Sequence, residues 1–200
     1  VVYMDAAMEM LRGQHPKKEI LPGGILYYHI DDPVLESDTP LSDEEAEQAL
    51  LFALRPDGLV NSGEEIYRAM DQNFEGKSQM IPVEIKKNGE ISTARSKVAS
   101  TEEFAVITRY VEHEIRQCGE AIYAGNIAVN PYRSDIETSC TYCPYGSVCG
   151  MDAKIPGYEY RQFASTKKEE VLDQMQTELA RNRGKEERSD EMDEGTAERH

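Results

Sequence analysis

The segment Cys140-Thr-Tyr-Cys143-Pro-Tyr-Gly-Ser-Val-Cys149 carries three of the four cysteines in the chain. Cys140 and Cys143 are separated by two residues, so a tight turn can point both thiolates at one centre. Five more residues separate Cys143 from Cys149, which brings a third thiolate within reach. A proline and two glycines in and after the segment suit a backbone that folds around a metal. Thiolate ligation fits either zinc or an iron–sulfur centre. We therefore predict a metal centre in this cysteine loop (residues 140–149). Three unrelated free thiols are the simpler alternative.

Either kind of centre needs a fourth ligand. Cys118 is the only other cysteine. It falls on the apolar stripe of a long predicted helix, where a cysteine behaves as a small core hydrophobe. A self-contained site completed by Cys118 stays open as the alternative. None of the four histidines has ligand spacing to the loop, so a fourth ligand outside this sequence is expected.

Hydrophobic periodicity and turn residues predict a mostly helical chain with a few strands, of the α+β or α/β class. The predicted elements are an opening helix ended by Gly13, a strand at 25–30 buried on both faces, a helix capped by Ser42 with Glu45, a short helix at 64–71, a hairpin at 81–91 around Asn88-Gly89, a long helix at 102–124, a short strand at 158–161 and a helix at 167–180. The apolar stripe of the long helix predicts a buried face along Phe104, Ile107, Val111, Ile115, Cys118 and Ile122.

The domain organisation is predicted from composition. Residues 1–163 form one domain portion that includes the cysteine loop, residues 164–180 add a C-terminal helix, and residues 181–200 form a disordered charged tail because they hold almost nothing apolar. The first helix starts at Val1 without a cap or an initiator methionine. We therefore expect the sequence to be a piece of a longer protein.

The net charge is −16, and the segment from Asp31 to Glu75 contributes −11 of it, from 13 acidic and two basic residues. This negative charge argues against binding of DNA phosphates by this chain alone. No apolar run is long enough for a membrane helix and no signal peptide is present, which favours the cytoplasm. A mildly basic stretch could touch a DNA backbone, although ordinary hairpin solubility is the favoured explanation: Lys77, Lys86, Lys87, Arg95 and Lys97.

Several stretches resemble the B subunits of bacterial ATP-dependent helicase/deoxyribonucleases of the AddAB type, over roughly residues 1–163. They are Pro22-Gly-Gly-Ile-Leu-Tyr-Tyr-His-Ile-Asp-Asp-Pro33, Ile81-Pro-Val83 with Asn88-Gly89, and Gly125-Asn-Ile-Ala-Val-Asn-Pro-Tyr-Arg133 followed by the cysteine loop. The resemblance implies the C-terminal portion of a RecB-like nuclease domain of the PD-(D/E)XK type. It also implies a 4Fe–4S cluster held by Cys140, Cys143, Cys149 and one upstream cysteine, with Cys118 left in the core.

The same resemblance implies a function. The parent protein would process double-strand DNA ends for recombinational repair by Mg²⁺-dependent phosphodiester hydrolysis, as a heterodimer with an A subunit. Tyr3 matches the tyrosine of a Gln-x3-Tyr helix in such nucleases. The catalytic Asp and Lys would precede Val1, so this segment is expected to be inactive alone, and Asp31-Asp32 is interpreted as a strand end and turn. Two alternatives remain: a zinc- or cluster-stabilised binding module that docks through its acidic segment, and a Cas4-type exonuclease.

Overall fold

The computed structural model of the chain describes residues 1–30, 33–72, 74–135, 137–164 and 166–197, with side chains described as far as residue 183. The chain divides into two compact units, Val1–Val111 and Glu112–His200. The elements in chain order are α1 (Val2–Gln14), β1 (Gly24–Tyr27), α2 (Asp43–Ala53), β2 (Asp57–Asn61), α3 (Glu64–Met70), β3 (Val98–Ala99), α4 (Thr101–Tyr123), β4 (Tyr132–Ser134), α5 (Gly146–Cys149), β5 (Arg161–Phe163) and α6 (Lys168–Ala197). Long helices with a few short strands confirm the predicted α+β character.

The first unit holds a three-stranded sheet of order β1-β2-β3. β1 and β2 run antiparallel, with Gly24 opposite Val60, and β2 and β3 run parallel. Gly58 on β2 has a φ of 144°, and a Cβ there would lie 2.1 Å from the carbonyl oxygen of Ile25. The two backbones therefore approach so closely that only glycine fits at this position.

The core of the first unit is built from β2, α3, β3 and the segment that connects α3 to β3. Its buried members are Val60, Tyr67, Phe74, Ile81, Val83, Ile85 and Val98. The predicted hairpin turn is confirmed, because the Lys86 N–H donates to the Glu90 carbonyl at 2.8 Å and Gly89 has a φ of 86°. The hairpin thereby turns the chain so that its apolar residues meet the sheet.

A buried asparagine joins three parts of the first unit. Asn61 is 1% exposed. Its side-chain amide donates to the carbonyl of Pro22 at 2.8 Å and to the hydroxyl of Thr101 at 3.0 Å, while its Oδ1 accepts from the Gly63 N–H at 2.9 Å. These bonds tie the start of β1, the end of β2 and the start of α4 together, and they satisfy a polar group that would otherwise be costly to bury.

The predicted cap of α2 is confirmed. Ser42 and Glu45 form a capping box at the start of α2. At α4 the Glu103 N–H donates to the Ser100 hydroxyl at 3.2 Å, and the Glu103 carboxylate accepts from the Ser100 N–H at 2.7 Å. Gly125 follows α4 with a φ of 74°, as expected for a glycine that ends a helix.

The predicted burial of the strand at 25–30 on both faces is wrong. Tyr27 is 68% exposed, Tyr28 is 60% exposed and Ile30 is 93% exposed. The physical reason is the position of β1, which lies at the edge of its sheet with β2 as its one neighbour. Asp31 and Asp32, interpreted as the strand end and turn, lie outside the described residues.

The predicted burial of the whole apolar stripe on α4 is also wrong. Phe104 is 1% exposed, but Ile115 is 54% exposed and Ile122 is 77% exposed. Cys118, expected in the core, is exposed as well. Periodicity defines a face of a helix, whereas tertiary packing decides how much of that face is covered.

The second unit contains a parallel pair of strands, β4 and β5, and the helix α6. The strand predicted at 158–161 begins instead at Arg161. The predicted helix end at residue 180 is wrong, because α6 runs on to Ala197. The segment beyond 180 contains no proline and many Glu, Lys and Arg residues, which have high helix propensity. None of the helices in the described ranges is long and apolar enough to span a lipid bilayer.

Candidate metal centre

The start of the cysteine loop is fixed by β4. Tyr132 pairs with Arg161 of β5, and Arg133 forms an antiparallel bridge with Thr138. The Ser139 N–H then donates to the Tyr132 carbonyl at 3.0 Å. The chain therefore folds back on β4 directly before Cys140, so that a short hydrogen-bonded layer positions the first cysteine.

Local hydrogen bonds then shape the loop itself. The Cys143 N–H donates to the Cys140 carbonyl at 3.3 Å, which places these two cysteines on one tight turn. The short helix α5 ends at Cys149, whose N–H donates to the Tyr145 carbonyl at 2.8 Å. Gly150 closes this helix with a φ of 64°. The tight turn at which we expected two thiolates is therefore present, and the third cysteine lies at the end of a short helix.

All four cysteines carry free thiols, with Cys140 and Cys149 half-buried and Cys143 exposed. Within the described ranges, no three His, Cys, Asp or Glu side chains come close enough together to hold a metal ion. The three loop thiols are thus not gathered around one point, and neither Cys118 nor any other described donor completes a set with two of them. The donor chemistry, three soft sulfurs in ten residues, still suits an iron–sulfur or zinc centre.

Two residues beside Cys140 were not predicted from the sequence as part of the site. The Tyr160 phenol lies beside the Cys140 thiol, and the guanidinium carbon of Arg133 lies 4.5 Å from the centre of the Tyr160 ring. The hydrogen bond to Cys140 and then desolvation raise the pKa of Tyr160. The sequence suggested only a short strand near Tyr160, because cysteine spacing does not indicate which distant residue contacts a ligand.

The mildly basic stretch is largely engaged within the first unit. Lys97 Nζ lies 2.7 Å from the Asp57 carboxylate, and Arg95 lies 2.9 Å from Glu84. The hydrogen bond from Lys97 holds the pKa of Asp57 below its usual value. These ion pairs favour the solubility explanation over a DNA contact.

Tyr3, the predicted remnant of a catalytic motif, lies on α1 with its side chain 93% exposed. The helix itself is confirmed, although none of its residues is buried. In the part of the chain that the structure describes, no three His, Cys, Asp or Glu side chains form a group that could hold a metal ion. The role predicted for Tyr3 stays a prediction.

A family model for the PD-(D/E)XK nuclease superfamily matches residues 1–150. The chain belongs to this superfamily. It is also 37% identical, over 179 residues, to the B subunit of an ATP-dependent helicase/deoxyribonuclease from Thermoanaerobacter sp. (strain X514), a match that covers 90% of this chain and 15% of the relative. Proteins of the same name from Lachnoclostridium phytofermentans and Clostridium botulinum (strain Hall) are 38% and 36% identical, over 85% and 90% of this chain and 15% and 16% of theirs. The chain therefore spans about one sixth of these relatives or less.

The acid-x-lysine signature after which the superfamily is named does not locate an active site here. It occurs three times in the sequence, as Glu75-Gly-Lys77, Glu84-Ile-Lys86 and Asp152-Ala-Lys154. Glu84 is paired with Arg95, and none of these acidic residues joins a group that could hold a metal within the described ranges. A tripeptide is too short a pattern to identify the catalytic centre of this PD-(D/E)XK chain.

Proposed function

We propose that this chain is the C-terminal part of the nuclease domain of a helicase–deoxyribonuclease B subunit. The parent protein would act with an A subunit in the cytoplasm and process double-strand DNA ends for recombinational repair. The observation that carries the proposal is the similarity to helicase/deoxyribonuclease B subunits over 90% of this chain. A match of that extent necessarily includes residues 140–149, so it covers the cysteine loop as well as the sheet.

Cys140, Cys143 and Cys149 are assigned as three ligands of a 4Fe–4S cluster, with the fourth thiolate supplied by another part of the parent protein. The donor set supports this assignment, since iron–sulfur clusters are held by Cys thiolates. The local structure of the cysteine loop supports it too, because Cys140 and Cys143 lie on one tight turn and Cys149 ends the short helix that follows. Ligation would draw the three sulfurs together, so that binding energy becomes folding energy.

The role of this chain in hydrolysis is to provide framework. When bound in the parent nuclease, a divalent metal such as Mg²⁺ lowers the pKa of a water and stabilises charge on the scissile phosphate. The sheet of β1, β2 and β3 would support that site, and α1 would bring Tyr3 beside it. The cluster held by the cysteine loop would link this end of the nuclease domain to the part of the parent protein that supplies the fourth thiolate. The framework role predicts that the chain alone does not cut DNA.

The first test compares two cysteine substitutions in the full-length subunit. Cys143→Ala removes a proposed ligand, and Cys118→Ala is the matched control, since both thiols are exposed. We expect Cys143→Ala to lose iron and acid-labile sulfide, to lower the thermal stability and to weaken DNA-end binding. Cys118→Ala should keep all three properties. An unchanged iron content in Cys143→Ala would overturn the assignment, and stoichiometric zinc in the wild type would favour a zinc-stabilised module.

A second test addresses the nuclease. The chain alone and the full-length subunit with its A partner are incubated with linear duplex DNA, Mg²⁺ and ATP. We expect digestion by the heterodimer and none by the chain. Metal-dependent cleavage by the chain alone would show that a catalytic centre lies within these 200 residues, and would refute the framework role.

A further inference from the structure

The free edge of β1, the side that faces away from β2, belongs to a segment whose sequence is typical of a covered strand. Within the described residues β1 has β2 as its one neighbour. The segment from Gly24 to Ile30 contains no proline and no Lys, Arg, Asp or Glu. Natural edge strands often carry such residues, because they prevent another strand from pairing there. A largely apolar run is instead typical of a strand buried on both faces.

The register shows which backbone groups of β1 face the free edge. In the antiparallel pairing of β1 with β2, the Asn61 N–H donates to the Gly23 carbonyl at 2.9 Å. Bonded and non-bonded pairs alternate along such a ladder. Ile25 therefore bonds to β2, whereas the N–H and the carbonyl of Leu26 point away from β2. Leu26 thus offers a hydrogen-bond donor and an acceptor to a strand on the free edge.

The side chains next to this edge are uncovered as well. Tyr27, Tyr28 and Ile30 are all exposed. Removing apolar side chains from water is favourable, so a neighbour along residues 24–30 would bury them. It would also lengthen β1 towards the strand at 25–30 that the sequence predicts. An added strand would therefore gain both main-chain hydrogen bonds and apolar burial.

We propose that the free edge of β1 pairs with an apolar β-strand from the part of the parent protein that lies outside these 200 residues. This inference rests on the proposed function, which makes the chain part of a larger subunit. The length of the relatives supports this choice of partner, because a match over 90% of this chain covers only 15% of the Thermoanaerobacter protein. Pairing between two copies of this chain is disfavoured, because each carries a net charge of −16.

Amide hydrogen exchange in the full-length subunit measures the pairing directly. Ile25 is an internal control, because its N–H bonds to β2 whether or not another strand is present. We expect the Leu26 amide to exchange as slowly as the Ile25 amide, and more than about 10-fold slower than an unpaired amide. A Leu26 amide that exchanges as fast as an unstructured peptide, next to a slow Ile25 amide, would overturn the inference.

A pair of substitutions at Leu26 tests the same edge. Leu26→Pro removes the N–H that faces the free edge and leaves the ladder with β2 its donors. Leu26→Ala is the matched control, because it shortens the side chain and keeps the N–H. In the full-length subunit Leu26→Pro should unfold at a lower temperature than Leu26→Ala, while Ile25 still exchanges slowly in both. Equal thermal midpoints would overturn the inference. The exchange measurement on the wild type decides the question if Leu26→Pro does not fold.

The outcomes also separate the partner strand from other occupants and from the proposed function. The exchange is measured on the monomeric subunit without its A partner. Slow exchange at Leu26 that appears only in a dimer, or only after the A subunit is added, would overturn the assignment of the strand to the same protein. A heterodimer that digests linear duplex DNA while Leu26 exchanges freely overturns this inference alone. A heterodimer that digests no DNA overturns the proposed function, and slow exchange at Leu26 would then still support the pairing.

Discussion

Replacing Asn61 should cost the first unit much of its stability, although the side chain is polar and small. Asn61→Ala removes three hydrogen bonds at once, to the Pro22 carbonyl, the Thr101 hydroxyl and the Gly63 N–H. These partners belong to three separate parts of the chain. The substitution therefore tests whether this asparagine, and not apolar burial alone, fastens β1 and α4 to β2.

The magnitude follows from the surroundings of each partner. Each hydrogen bond contributes about 1 kcal/mol net, and a buried group left without a partner costs about 1–3 kcal/mol. Pro22 is buried, so its carbonyl bears that larger cost, whereas Thr101 and Gly63 are half-buried and regain water. The expected loss for Asn61→Ala is about 2–4 kcal/mol in the free energy of unfolding. Thr101→Val removes one bond and should cost about 1 kcal/mol.

Urea denaturation followed by far-UV circular dichroism measures these losses. Asn61→Asp is the informative second variant, because it keeps the acceptor for Gly63 and places a carboxylate oxygen where the amide donated to the Pro22 carbonyl. At neutral pH it should destabilise at least as much as Asn61→Ala. A loss below about 1 kcal/mol for Asn61→Ala, or an equal loss for Thr101→Val, would refute the fastening role.

Three further substitutions test the packing and the charges of the first unit. Gly58→Ala should destabilise the protein by more than about 2 kcal/mol, because the new Cβ would lie 2.1 Å from a β1 carbonyl oxygen. The control Gly13→Ala on α1 should stabilise it slightly. Similar thermal unfolding midpoints for the two variants would contradict the close approach of β1 and β2. Phe104→Ala should cost about 3–5 kcal/mol in urea titration, and a loss near zero would disprove its burial. Lys97→Ala should cost less than about 1 kcal/mol near neutral pH. Lys97 lowers the pKa of Asp57 in the folded protein. The ion pair therefore stabilises the protein fully above the pKa that Asp57 has in the unfolded chain, and this stabilisation is lost as the pH falls through the pKa of Asp57 in the folded protein. If Lys97→Ala lowers the free energy of unfolding as much in acid as at neutral pH, this linkage is excluded.

Features fixed by neighbouring residues were predicted well from the sequence. The capping box at Ser42 and the turn at Asn88-Gly89 each depend on a few adjacent residues. A short polar side chain before a helix, or a glycine at positive φ, imposes its local structure whatever surrounds it. These local signals therefore predicted the start of α2 and the hairpin turn to within a few residues of their observed positions.

Burial was predicted poorly because it depends on distant parts of the structure. The apolar stripe on α4 is regular, yet Phe104 is buried and Ile122 is exposed. Tyr27 of β1 follows the pattern of a buried strand, but β1 is an edge strand and exposes it. A periodic pattern shows which face of an element can be covered. It contains no information on whether a neighbour covers that face.

The cysteine loop combines both situations. Spacing alone singled out Cys140, Cys143 and Cys149 as a candidate ligand set, although the described loop does not gather the three thiols around one point. Tyr160 escaped notice because it reaches Cys140 through the pairing of β4 with β5, which no short pattern encodes. For this chain, spacing within one loop was enough to propose a ligand set, whereas a contact between distant segments, such as that of Tyr160 with Cys140, is found only once the strands are paired.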